Sequence, residues 1–112
     1  MAVVVIIRRT FRDEEKAKAL APLIVQLRSK ATMQSGYISG KTLRCADCAG
    51  EYLVISTWNT LADWHAWLNN DERKSLQTQV DALLGETTEY RLYEPLVGGI
   101  IPKFTSPEER SV

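Results

Sequence analysis

Ala2-Val3-Val4-Val5-Ile6-Ile7 is an unbroken, mostly β-branched run that ends on Arg8-Arg9-Thr10. β-Branched side chains fit a pleated strand better than a helix, and the run is far shorter than the roughly 18 residues a membrane-spanning helix needs. It reads as a strand. A strand whose sheet has one wet face alternates apolar and polar residues, and this one does not. Val3, Val5 and Ile7 point one way while Val4 and Ile6 point the other, so both faces of the sheet need cover.

Working outward from that strand, Asp13 can cap a helix whose apolar residues Ala17, Leu20, Ile24, Leu27 and Ala31 recur at helical spacing, with Glu14 and Glu15 at its positive end. Pro22 lies inside the pattern and is expected to kink or divide the helix. Ser35-Gly36 ends it. Tyr37 to Arg44 follows as a strand with Tyr37, Ser39, Lys41 and Leu43 on one face, and Cys45 to Gly50 has turn composition. Glu51 to Trp58 closes an antiparallel hairpin. Thr60 caps a short helix carrying Leu61, Trp64, Trp67 and Leu68 on one side, and Asn69-Asn70-Asp71 starts another with Leu76, Val80, Leu83 and Leu84. After Gly85, Thr87 to Leu96 reads as the last strand.

The order is β-α-β-β-α-β, the split βαβ signature of a ferredoxin-like α+β domain with both helical layers on one face of an antiparallel sheet. The helices can cover only that face, so the expected cover for the other is a second copy of the chain, a homodimer. Residues 1–96 form the domain, and residues 97–112 form a C-terminal tail expected to pack partly on the partner and then to be mobile. At 112 residues, with 14 Lys plus Arg against 14 Asp plus Glu, the chain lacks the one-signed charge of a nucleic-acid binder or a polybasic membrane anchor. No nucleic-acid partner and no membrane association are expected. With only Cys45 and Cys48 to form disulfides and no signal segment, a cytoplasmic location is expected.

Three landmarks then line up: Ser35-Gly36-Tyr37-Ile38 opening the second strand, Val54-Ile55-Ser56-Thr57-Trp58 ending the third, and Trp64-His65-Ala66-Trp67-Leu68 followed by Asn69-Asn70-Asp71-Glu72. Over about residues 2–95 the chain resembles the antibiotic biosynthesis monooxygenase family of dimeric α+β barrels. That resemblance implies a pocket between helices and sheet. Among the family's members some oxidise aromatic polyketides or quinols with molecular oxygen and no metal or flavin, some degrade haem, and some have no known reaction. In the haem-degrading branch an Asn on the first strand, a Trp on the short helix and a later His are used. Trp67 matches the Trp, but the His position falls at Gln77 and the Asn position near Ile7 or Arg8, so the axial ligand is missing.

The candidate site residues follow from this frame. His65, the chain's single histidine, is the only side chain whose ordinary pKa suits proton transfer near neutrality and is the candidate base; the bland reading is a half-exposed structural His. Trp58, Trp64 and Trp67 can wall a slot for a small aromatic ligand or simply fill the core. Arg8 and Arg9 point to opposite faces, and either can hold an enolate or carboxylate or reach solvent. Tyr37 and Tyr52 can donate a phenolic hydrogen bond. Cys45-Ala46-Asp47-Cys48 has the spacing of a redox or half-zinc motif. It joins two strands rather than opening a helix, so an ordinary hairpin loop with no metal is expected. The reading is a cofactor-independent monooxygenase acting on a small aromatic or quinol-type substrate, with a non-catalytic ligand-binding module as the alternative.

Overall fold

The computed structural model describes residues 2–96; the expected tail, residues 97–112, lies outside them. The elements are β1 (Val3–Thr10), α1 (Glu14–Thr32), β2 (Tyr37–Arg44), β3 (Glu51–Trp58), α2 (Leu61–Leu68), α3 (Asp71–Leu84) and β4 (Tyr90–Tyr93). They build one four-stranded sheet in the order β2-β3-β1-β4, with every neighbouring pair antiparallel. This is the ferredoxin-like α+β architecture read from the sequence.

The helix ends are held by the side chains expected to hold them. Asp13 accepts from the Lys16 amide at 2.8 Å, Thr60 from the Asp63 amide at 3.1 Å and Asn70 from the Arg73 amide at 3.0 Å. Each satisfies a donor that the first helical turn leaves unpaired. Gly85 closes α3 in the left-handed conformation at φ 72°. Pro22 does not divide α1, which runs as a single element through it. Pro22 and Lys18 are both exposed, so the Lys18 carbonyl that loses its helical donor can turn to water.

On β1 the parity of burial is clear. Val3, Val5, Ile7 and Arg9 are buried beneath the helices, while Val4 and Ile6 are half-buried and Arg8 is exposed on the opposite face. The register puts Ile6 beside Ile55 and Arg8 beside Leu53, with Leu43 next to Leu53. The face away from the helices therefore carries an apolar centre of Val4, Ile6, Leu43, Leu53 and Ile55, edged by polar residues, with no cover among the described residues. Leu43 is 45% and Tyr93 48% exposed.

Two elements differ from the sequence reading. A bulge between Tyr37 and Ser39 breaks the alternation of β2, so Tyr37 pairs with Trp58 and Gly40 with Ser56. Both then lie on the helix side, and Tyr37 parts from Ser39, Lys41 and Leu43. The extra residue changes which side the rest of the strand presents. The final strand is only Tyr90–Tyr93. Thr88 is diverted from the sheet by α3, where its hydroxyl donates to Asp81 Oδ1 at 2.6 Å and accepts from Gln77 Nε2 at 2.7 Å.

On the helical side, Lys30 of α1 meets Glu72 of α3 at 2.6 Å. The hydrogen bond and charge of Lys30 hold the Glu72 carboxyl below its ordinary value of 4.5. The tie is complete above that value and is lost as the pH falls through Glu72's lowered one.

Gly36 fixes the junction of β2 with α2. Its φ is 84°, its carbonyl accepts from the Asn59 amide at 2.7 Å, and a Cβ placed there would lie 2.2 Å from the carboxyl carbon of Asp63. Asp63 is the residue whose amide and carboxylate both bond to Thr60 at the start of α2. Gly36→Ala is expected to lower stability by about 1–3 kcal/mol through backbone strain alone, and by more if Asp63 is driven off Thr60. A urea midpoint unchanged by the substitution would refute the expectation.

Candidate functional site

A cavity of about 70 Å³ lies between α1 and the helix-facing side of the sheet, at the end where α2 and α3 close over it. α1 contributes Ile24, Leu27, Arg28 and Ala31, and the sheet contributes Ile7, Arg9, Tyr37, Gly40, Val54, Ser56 and Trp58. Trp64 and Trp67 come from α2, and Arg73 and Gln77 from α3.

The walls are aromatic because the short helix places its tryptophans at i and i+3, both facing the sheet. Tyr37 meets Trp58 edge-on with centroids 5.4 Å apart. Trp58 is 5.8 Å from Trp64, and Trp64 is 5.4 Å from Tyr90. This is an unbroken line of rings in the separation range where aromatic pairs attract. Trp58 Nε1 donates to Ser56 Oγ at 3.0 Å, so the most deeply buried indole keeps its polar atom satisfied. Gly40 matters to this wall: a Cβ there would come within 2.5 Å of the Tyr37 hydroxyl, so a larger residue would push that ring from its place over β2.

The floor is polar. Arg73 and Gln77 are both buried and belong to the same face of α3 as Leu76 and Val80. Arg73 stacks over Tyr90 at 4.9 Å and Trp64 at 5.7 Å, and donates to the Tyr90 hydroxyl and to the Leu68 carbonyl at 3.4 Å. Gln77 Nε2 is held by Asp81 Oδ1 at 2.8 Å and by Thr88.

Arg9 differs from both. It is 5% exposed, and its Nε and Nη1 are buried without a hydrogen-bond partner among the described residues. Burial lowers its pKa, with partial relief from Tyr90 and Asp81 and further opposition from Arg73. The folded state thus holds this proton less firmly than the unfolded chain does. The charge opposes folding at neutral pH, and the penalty is relieved only above the lowered value.

The sequence candidates divide sharply. Trp58, Trp64, Trp67 and Tyr37 line the cavity together. His65, the residue expected as the base, is not among the lining residues: it is exposed on α2, a hundred degrees round the helix from Trp64. Arg8 is also misplaced. It reaches Glu51 at 3.9 Å from the open side of the sheet, beside a separate and larger concavity of about 670 Å³ that it shares with Arg12 and Glu89. Arg9 occupies the pocket position instead. Tyr52 packs on Phe11 at 5.1 Å and is not among the lining residues. Arg73 and Gln77 were not read as site residues, although two polar residues set in the apolar stripe of a helix are a usable signal.

At the hairpin, Cys45 and Cys48 are joined as a disulfide with Cα atoms 5.4 Å apart. The hairpin loop thus carries a cross-link, and the two cysteines give no argument for a reducing compartment. Among the described residues no helix is long and apolar enough to cross a membrane.

Antiparallel sheet, helices on one face and an aromatic-walled cavity between them define a ferredoxin-like α+β protein with an internal pocket. The family model for antibiotic biosynthesis monooxygenases matches residues 2–79, and the chain belongs to that family. No curated protein matches the sequence. Among solved structures it is similar to the cofactor-independent oxygenase SnoaB from Streptomyces nogalater, at 20% identity and a TM-score of 0.73, covering 86% of this chain and 94% of that one. It is also similar to Rv0793 from Mycobacterium tuberculosis, at 21% identity and a TM-score of 0.75, covering 87% of this chain and 97% of that one. A conserved protein from Methanosarcina mazei Go1 matches at 16% identity and a TM-score of 0.74, with 83% and 91% covered. At these identities the likeness establishes the fold.

Proposed function

We propose that the protein is a cofactor-independent monooxygenase acting on a small aromatic or quinol-type molecule, and that it works as a homodimer. The observation that carries the reading is the meeting of Trp58, Trp64 and Trp67 around one cavity. Family membership and the activity named for SnoaB support it. Flat apolar walls hold a planar ring system and exclude water, leaving oxygen and substrate as the reactants. In such chemistry an electron-rich ring position passes an electron to O2 and the two radicals combine. For an anthrone, a ring CH2 becomes C=O; one oxygen atom enters the carbonyl and the other leaves as water.

The cavity's size sets a condition. At about 70 Å³ it is well below the roughly 300–1,000 Å³ of ordinary small-molecule sites, so a two- or three-ring substrate needs more space than the cavity holds here. A haem is far larger still. Gln77, at the position where the haem-degrading branch places its ligand, is already committed to Asp81 and Thr88.

The test is oxygen uptake by the purified protein with a panel of hydroquinones and anthrones. Uptake is expected to fall in Trp67→Ala and to be unchanged in His65→Ala. No uptake across the panel, with ligand still bound, would support the non-catalytic binding module instead.

The homodimer reading rests on the apolar centre of the sheet's other face, where Val4, Ile6, Leu53 and Ile55 gather with no cover among the described residues. An apolar face of this kind marks an interaction site, and a two-fold copy is the commonest solution. Ile6→Lys with Ile55→Lys places two like charges side by side on that face and is expected to convert a dimer to monomers in sedimentation. A wild-type chain that sediments as a monomer at micromolar concentration would remove this part of the proposal.

A further inference from the structure

In folded proteins buried polar groups almost always find partners. Arg9 does not: Nε and Nη1 meet neither solvent nor an acceptor among the described residues. The neighbouring groups of favourable sign are already engaged. Asp81 Oδ1 is bonded to Gln77 and Thr88, and the Tyr90 hydroxyl to Arg73. A second observation points the same way. The ionisable residues whose side of the fold faces the cavity are Arg9, Arg28, Arg73 and Tyr37, and no carboxylate or imidazole residue is among the described residues that line it. A pocket walled by indoles and surrounded by cations is matched to a flat molecule carrying negative charge.

We infer that the pocket takes its substrate as an aromatic anion, a phenolate whose oxygen accepts hydrogen bonds from Nε and Nη1 of Arg9. This rests on the oxygenase reading and specifies the form in which the substrate binds. It also resolves the absence of a base from the lining. A cation in contact with a phenol lowers its pKa by about 1–3 units, so the O–H bond breaks as the ring seats, the proton leaves to water, and the electron pair stays on the oxygen facing Arg9. The ring is then electron-rich without any side chain having to accept the proton.

The test uses 4-nitrophenol, whose ionised form is yellow, titrated into the full-length protein at a pH below the probe's solution pKa. Bound probe is expected to be yellow, with its pKa lowered by about 1–3 units. Arg9→Met is expected to abolish the shift and weaken binding by about tenfold or more, equivalent to about 1.4 kcal/mol, with circular dichroism confirming that the variant is folded. Arg9→Lys retains the charge and is expected to retain part of the shift. Arg8→Met removes the same charge from the opposite face of β1 and changes neither quantity. 4-Nitroanisole, which has the same ring and no ionisable oxygen, is expected to bind at least about tenfold more weakly. Equal binding of the anisole, or a shift that survives Arg9→Met, overturns the inference. The two readings separate cleanly. Arg9-dependent binding of nitrophenolate without oxygen uptake on any substrate leaves the anion site standing and removes the oxygenase. Uptake that is equally fast with O-methylated substrates does the reverse.

Discussion

Trp58→Ala is expected to lower the unfolding free energy by about 3–5 kcal/mol, the range for removing a large aromatic side chain from a packed core. Trp58 is 0% exposed and stands at the centre of the ring line, edge-on to Tyr37 on one side and against Trp64 on the other. It also ends β3, where it pairs with Val3 of β1 and Tyr37 of β2. One residue therefore joins three strands and α2. Neighbouring rings cannot move into the space without leaving their own contacts, so little of the cavity can collapse. Since domains are commonly stable by only about 5–15 kcal/mol, a loss of this size leaves the variant marginal. Denaturant unfolding measures it, and a loss under about 1.5 kcal/mol would mean that the rings repack freely.

The second large effect has the opposite sign. Arg9→Met is expected to raise stability by about 1–3 kcal/mol, the cost ordinarily attached to a buried donor without a partner. A methionine keeps the length and apolar stem of the side chain and removes a charge that burial disfavours. The same variant is expected to lose the anion binding described above. Gain of stability with loss of binding is the pattern of a residue kept for its ligand. If Arg9→Met is less stable than the wild type in thermal unfolding, then Arg9 is a structural residue whose partners the fold already supplies.

Much of the fold was legible because local and long-range signals agreed. The β1 run, the caps Asp13, Thr60 and Asn70, and the glycine after α3 each indicated the element that forms. The departures have local causes. One extra residue near Ile38 reverses the facing of β2, and nothing in the alternation of Tyr37 to Arg44 marks where it is inserted. Thr88 has good strand propensity but a better hydrogen-bonding offer from Asp81 and Gln77. The choice between Arg8 and Arg9 could not be made from β1, because a strand that is apolar on both sides hides which parity faces the helices. His65 was nearer to being legible: Trp64, Trp67 and Leu68 define the inward stripe of α2, and His65 falls beside it. Arg73 and Gln77 share the inward face of α3 with Leu76 and Val80. Their burial depends on tertiary partners at Tyr90 and Thr88 that spacing alone does not reveal.

The convergence of the indoles has an optical consequence. The chain contains three tryptophans, and all of them border the same cavity. The ultraviolet-excited emission of the protein is thus a signal from one place, with no surface fluorophore of that type to dilute it. A quinone or nitroaromatic arriving between the rings should quench nearly the whole spectrum at once, so occupancy can be followed by light without a label.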